Sequence, residues 1–259
     1  MTTWILLRGL TREHGHWGHF PALLAQAVPH ARVHAPDLPG TGQRHRERSP
    51  ATVADIASAV RAELRREALV PPYRLLGLSL GGMVAAHWAA TWPDEIEGCV
   101  LVNTSTRLGS AWHQRLQPAQ IPGLLASLFD ANARRAEQRI LAATSNRPEA
   151  HAEVLAAWLR IRRERPVSVG NALRQLAAAV RFRPVSETPP SPTLVIVSQA
   201  DRLVDPACSQ ALARAWQVPL RAHPSAGHDL ALDDPTWLVT QLATWQPSRH
   251  AATPPVTPL

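Results

Sequence analysis

The sequence predicts an α/β fold, with a mostly parallel sheet flanked by helices and a helical insertion between two of its strands. Three observations predict it. Short continuous apolar runs recur along the chain, the form taken by strands buried on both faces. Between them lie segments whose apolar residues are spaced three and four apart, the helical period. One long stretch, 105–190, carries helical patterns and no convincing strand.

Taken in order, Trp4 to Leu7 is the first apolar run and Arg32 to Ala35 a shorter one. Val53, Ile56, Val60 and Leu64 then recur at helical spacing, with Ser49 and Pro50 placed as N-cap and first helical residue. Tyr73 to Leu78 is a second strong run, and the helix predicted over Leu80 to Trp92 is stopped by Pro93. Cys99 to Val102 is the third. In the insertion, Ala133 to Ala142, Glu149 to Arg163 and Gly170 to Val180 read as helices, and Pro184, Pro189, Pro190 and Pro192 turn the chain back toward the sheet. Leu194 to Ser198 and Leu220 to His223 complete the strands. Strand and helix alternating in this way imply right-handed crossovers. The expected organisation is a core formed by 1–104 and 191–246, an inserted helical lid at 105–190 and a loosely held tail at 247–259, rich in Pro, Ala and Thr.

A chain of 259 residues can bury a large core, and 45% apolar with 18% charged residues is the balance of a folded domain, not of a disordered one. No apolar run approaches the eighteen or so residues that cross a bilayer. The short apolar stretch within Met1 to Leu10 reads as a buried strand, not a signal peptide, because Arg8 and Gly9 follow it directly. A cytoplasmic location is expected. Cys99 and Cys208 have no metal-ligand spacing and read as small core residues. The formal charge of +7 raises a nucleic-acid partner, but the basic residues are all arginine and are scattered, which fits codon bias better than a binding stripe. No nucleic acid is expected.

Chemistry concentrates at Gly77-Leu78-Ser79-Leu80-Gly81, a G-x-S-x-G between an apolar strand and a helix. A turn this tight needs small residues on either side of the serine, and it sets Ser79 at a helix N-terminus, where developing negative charge is favoured. A serine hydroxyl needs a base, and His228, in Ser225-Ala226-Gly227-His228-Asp229 after the last predicted strand, is the candidate. The base needs a carboxylate to orient it; Asp201 follows the strand Leu194 to Ser198. Asp205, before Pro206, reads instead as a helix N-cap, and Asp233 and Asp234, before Pro235, likewise.

With these residues in view, the chain resembles the α/β-hydrolase fold superfamily over nearly its whole length, in its serine-nucleophile, esterase-like branch. Besides the elbow and Gly227-His228, the loop Asp37-Leu38-Pro39-Gly40-Thr41-Gly42 is similar to the family's D-x-P-G-x-G. The resemblance implies that the sheet begins at the strand that is third in many relatives, without the family's first hairpin. It also implies an oxyanion hole built from the backbone N–H groups of Leu10 and Leu80. The family usually carries His-Gly where this chain has Arg8-Gly9, and Arg8 is expected to hydrogen-bond nearby carbonyl groups as a structural substitute. His14, His16 and His19 invite a metal site, but no fourth acidic or sulfur ligand lies nearby; neither metal nor cofactor is expected.

A serine at the elbow disfavours the dehalogenase-like and epoxide-hydrolase-like branches, which use aspartate there. The expectation is hydrolysis of a carboxylic ester, or a related acyl bond, of a small molecule through an acyl-enzyme. Thioester, lactone or C–C bond cleavage on the same residues, and a silent ligand receptor, remain alternatives. From the lid, Trp112, Leu128, Phe129 and Trp158 are expected to meet an apolar acyl or aromatic group of the substrate.

Overall fold

The computed structural model describes residues 2–147, 151–184 and 191–247. Six strands form one sheet: β1 (Thr2–Leu7), β2 (Ala31–His34), β3 (Tyr73–Leu78), β4 (Ile96–Val102), β5 (Thr193–Ser198) and β6 (Leu220–His223), in the order β2-β1-β3-β4-β5-β6. Every neighbouring pair is parallel. All six predicted strands are present, with ends displaced by at most a few residues.

The period of two along each strand divides the core into two layers. Ile5, Leu7, Leu75, Cys99, Leu101 and Val195 face one side. There they meet α2 (Val53–Arg66), α3 (Leu80–Thr91) and α9 (Pro206–Trp216). Trp4, Leu6, Leu76, Leu78, Val100 and Ile196 face the other, against α1 (Phe20–Ala27) and α11 (Pro235–Thr244). These side chains are essentially inaccessible, and each contributes roughly 1.5–3 kcal/mol of burial. A short helix, α10 (Leu230–Asp233), precedes α11.

The start of α2 departs from expectation. Thr52, not Ser49, is its N-cap, with Oγ1 accepting from Asp55 N at 3.2 Å, so the helix opens at Val53 and Pro50 lies outside it. Ser49 is instead fully buried, its N–H donating to Asn171 Oδ1 at 2.9 Å. Two of the other proposed caps behave as read: Asp205 caps α9 and Asp234 caps α11.

Between β4 and β5 the chain forms five α-helices among the described residues: α4 (Trp112–Arg115), α5 (Ile121–Phe129), α6 (Ala133–Thr144), α7 (Ala152–Glu164) and α8 (Val169–Arg181). The last three coincide with the predicted helical patterns, α7 beginning at Ala152; Glu149, with Pro189 and Pro190, lies outside the described residues. So does the expected tail from residue 248 onward. Residues of the insertion line a cavity together with residues at the carboxyl ends of β1 and β3.

Candidate active site

Ser79 stands between β3 and α3 with φ 57° and ψ −117°, a backbone conformation that costs a non-glycine residue on the order of 1–3 kcal/mol. Its neighbours explain how the turn is tolerated. A Cβ on Gly77 would collide with the Gly81 carbonyl, and one on Gly81 with the Leu7 carbonyl, so both positions must be glycine for strand, turn and helix to approach this closely. Ser79 N donates to Val102 O at 3.0 Å, and Thr104 Oγ1 donates to Ser79 O at 2.8 Å, which pins the strained residue from both sides.

His228 lies on the loop after β6. Its Nδ1 is 2.7 Å from Asp201 Oδ2, and both side chains are almost fully buried. Asp201 is held in turn: its Oδ1 accepts from Leu203 N at 2.8 Å and Val204 N at 3.0 Å. With Nδ1 engaged, Nε2 has no hydrogen-bond partner among the described residues, and His228 and Ser79 line the same cavity. Asp205 spends its carboxylate on Ala207 N at 2.9 Å as the cap of α9.

Leu10 and Leu80 also line this cavity. Neither backbone N–H has an acceptor among the described residues, Leu80 because it opens α3 and Leu10 because it lies in the turn after β1. Gly9 permits the approach of that turn: its hypothetical Cβ would lie 3.3 Å from Ser79 Cβ. The next residue, Thr11, has φ 59° and donates its N–H to Gln175 Oε1 at 2.8 Å, so helix α8 of the insertion holds the turn in place.

Arg8 does not hydrogen-bond carbonyl groups as expected. Its Nη1 and Nη2 donate to the two carboxylate oxygens of Asp229, at 3.1 and 2.5 Å, and its guanidinium lies 4.6 Å from the Trp17 ring centre. A fork that meets a carboxylate in this way is strong and directional. It ties the end of β1 to the residue after His228, across the cavity floor.

The lid expectations need correction. Leu128 lines the cavity, but Trp112, Phe129 and Trp158 do not. Trp112 and Phe129 are 71% and 69% exposed, on the outer face of their helices. Trp158 is buried inside the insertion, under the Arg12 guanidinium at 4.3 Å and beside His16 at 5.4 Å. Size and apolarity do not say which face of an amphipathic helix a residue takes when two of its faces are covered. The cavity, about 300 Å³, is walled mostly by smaller residues, among them Met83, Leu124, Ile140 and Leu176.

The histidine cluster also separates. His14 bonds Asp37 through Nδ1 at 2.9 Å, which raises its pKa; His16 is buried against Arg12, and burial with the nearby guanidinium pushes its pKa well down; His19 is exposed. Glu13, His14 and Asp37 do bring three possible ligand atoms together. Those atoms are already committed: Arg165 takes both Glu13 oxygens, and Asp37 accepts from His14 N and Gln43 N.

Sequence reading missed several residues that hold these groups. Asn103, at φ 47° after β4, donates from Nδ2 to His228 O at 2.8 Å and accepts from Ser198 N at 2.7 Å. Asp233, taken for a cap, is a buried carboxylate that accepts from Gly227 N, Asn146 N and Ser145 Oγ. Its place just before a cap-and-proline pair disguised it; Asn103 was findable as a polar residue at the carboxyl end of a central strand.

The sequence profile of the alpha/beta hydrolase family matches residues 5–241. This chain belongs to that family. It is similar to the pimeloyl-[acyl-carrier protein] methyl ester esterase of Stenotrophomonas maltophilia, 31% identical over 76% of this chain and 74% of the relative. The enzyme of the same description from Chromobacterium violaceum is 36% identical over 45% of this chain and 44% of its own length. Among solved structures, a thermophilic esterase from Thermogutta terrifontis superposes with a TM-score of 0.72 at 23% identity, over 95% of this chain and 89% of that one, a likeness of fold. In α/β hydrolases a serine on a strained strand-to-helix turn, then an aspartate, then a histidine is the chain order of nucleophile, orienting carboxylate and base, and Ser79, Asp201 and His228 occur in that order.

Proposed function

We propose that this α/β hydrolase cleaves a carboxylic ester of a small molecule through an acyl-enzyme on Ser79. One observation carries the reading: Ser79, in its strained turn, shares a cavity with the free edge of a histidine whose other nitrogen is 2.7 Å from a buried carboxylate. His228 Nε2 takes the hydroxyl proton as Ser79 Oγ attacks the ester carbonyl, and Asp201 stabilises the imidazolium. The N–H groups of Leu10 and Leu80 receive the oxyanion, and His228 returns the proton to the leaving alkoxide. Water then repeats the cycle on the acyl-enzyme. The helices of 105–190 serve as the lid, and their aliphatic wall favours a flexible alkyl chain over an aromatic group. Relatives described as methyl ester esterases support an ester bond over the alternatives.

The test is covalent labelling with a serine-directed fluorophosphonate, peptide mapping of the adduct and turnover of simple alkyl esters. The label is expected on Ser79. Ser79→Ala and His228→Ala are each expected to lower ester turnover by on the order of a thousandfold or more with unchanged melting. A folded variant of either kind that keeps more than about a tenth of the activity would overturn the assignment.

A further inference from the structure

At one end the cavity wall turns from apolar to charged. Arg12, Glu13, His16, Glu137, Arg162 and Arg165 line this end, and they do not balance. Arg165 meets both oxygens of Glu13 at 2.8 Å. Arg12 and Arg162 share Glu137, one oxygen each, at 2.9 and 3.0 Å. Among the residues lining this end, three guanidinium groups therefore face two carboxylates; Arg165 also meets the half-exposed Glu164 at 3.2 Å, and His16, its pKa pushed down by burial, adds no further positive charge. Within this cluster Arg12 is 8% exposed, and its Nη2 is a buried donor with no hydrogen-bond partner among the described residues. A buried donor left unmade costs on the order of 1–3 kcal/mol, more on a charged group.

We propose that Arg12 is the anchor of a carboxylate subsite, and that the preferred substrates are small esters carrying one carboxylate away from the ester bond. This rests on the ester-hydrolase reading above. A single unpartnered guanidinium nitrogen suits a carboxylate better than a phosphate dianion, which calls for several donors. Arg12 is two residues beyond Leu10, their Cα atoms at most about 7 Å apart, so anchor and oxyanion site lie within one small substrate's length. The aliphatic wall formed by Leu128, Ile140 and Leu176 suits the methylenes that join them.

Three esters of similar length provide the test. Monoethyl adipate carries its carboxylate on the acyl side, 6-acetoxyhexanoate carries it on the alcohol side, and diethyl adipate is neutral. One of the two charged esters is expected to exceed the neutral one in kcat/KM by at least about tenfold. In Arg12→Gln that ratio should collapse toward one. A wild type that prefers the neutral ester, or an Arg12→Gln that loses activity on all three equally, overturns the subsite.

Should the variant not fold, protection of Ser79 from fluorophosphonate in the wild type decides the matter. Hexanoate should protect at about tenfold lower concentration than the neutral hexanamide, and equal protection overturns the proposal. Neutral-ester turnover and labelling without any charge preference would sink the subsite and leave the esterase standing. Absence of both would sink the esterase reading and the subsite with it.

Discussion

The sheet half of the molecule and the helical insertion are held together by different means. In the sheet half, two layers of fully buried aliphatic and aromatic side chains sandwich six parallel strands. Apart from Ala178 and Phe182, which join the sheet-side core, the insertion has among its described residues only a small apolar cluster, around Leu141, Leu155 and Trp158, while Trp112 and Phe129 face outward. Long-range polar contacts fasten it down. Gln175, fully buried, accepts from Thr11 N and donates to Pro39 O; Asn171 bonds Ser49 N and Glu47 O; Asp229 N donates to Thr144 O. Rigidity is therefore expected of the half that carries Ser79, Asp201 and His228, and adjustability of the half that shapes the cavity.

The largest expected effect lies wholly in the sheet half. Asp201→Asn keeps an oxygen for Leu203 N and Val204 N, so the loop should hold, but its amide group would face His228 Nδ1 and enforce the wrong tautomer. Turnover should fall on the order of a thousandfold or more with little change in melting. Asp205→Asn, at the cap of α9, should alter stability slightly and turnover hardly at all. The opposite kinetic pattern would move the acid to Asp205.

The same division decides what the sequence discloses. Apolar runs and helical periods report burial, so they reveal the strands, the helices and, through the glycines and strand ends, Ser79, Asp201 and His228. The fastenings of the insertion have no period. Nothing local to Arg8 announces Asp229 at a separation of 221 residues, and nothing local to Arg12 announces Glu137. Trp158 shows the complementary failure: its size made it a candidate for the cavity, but an arginine from the sheet half covers its face. Ser49 does not cap α2 because Thr52, three positions later, offers the better geometry, which frees Ser49 for Asn171.

A middle-sized effect is expected at Gln175, where the insertion grips the turn that carries Leu10. Gln175→Leu has similar volume but strands the Thr11 N–H, at about 1–3 kcal/mol, which for a chain of this size lowers Tm by roughly 2–4 °C per kcal/mol. Asn171→Leu strands Ser49 N–H in the same manner, away from that turn. If the insertion positions the oxyanion donors, Gln175→Leu should lose several-fold more ester turnover than Asn171→Leu at comparable Tm. Equal losses would mean that the insertion merely covers the site.

The smallest effect is local and depends on pH. Glu137 is buried, which by itself would raise its pKa, yet Arg12 and Arg162 outweigh burial and hold it below the ordinary glutamate value of 4.5. A carboxylate depressed in the folded state contributes stability that is present above about pH 4.5 and is lost as the pH falls below it, toward the folded value. Because Glu137 belongs to α6 and Arg12 to the sheet half, acid should loosen the fastening before it disturbs the strands. Amide hydrogen exchange at α6 should therefore accelerate between pH 5.5 and 3.5 relative to exchange at β3, after correction for intrinsic rates. Glu137→Gln should begin with weaker protection at α6 and show a shallower acid dependence there. Parallel loss of protection at α6 and β3 in the wild type would show that the two halves unfold as one unit, and that the division between a rigid frame and an adjustable cover does not extend to their stability.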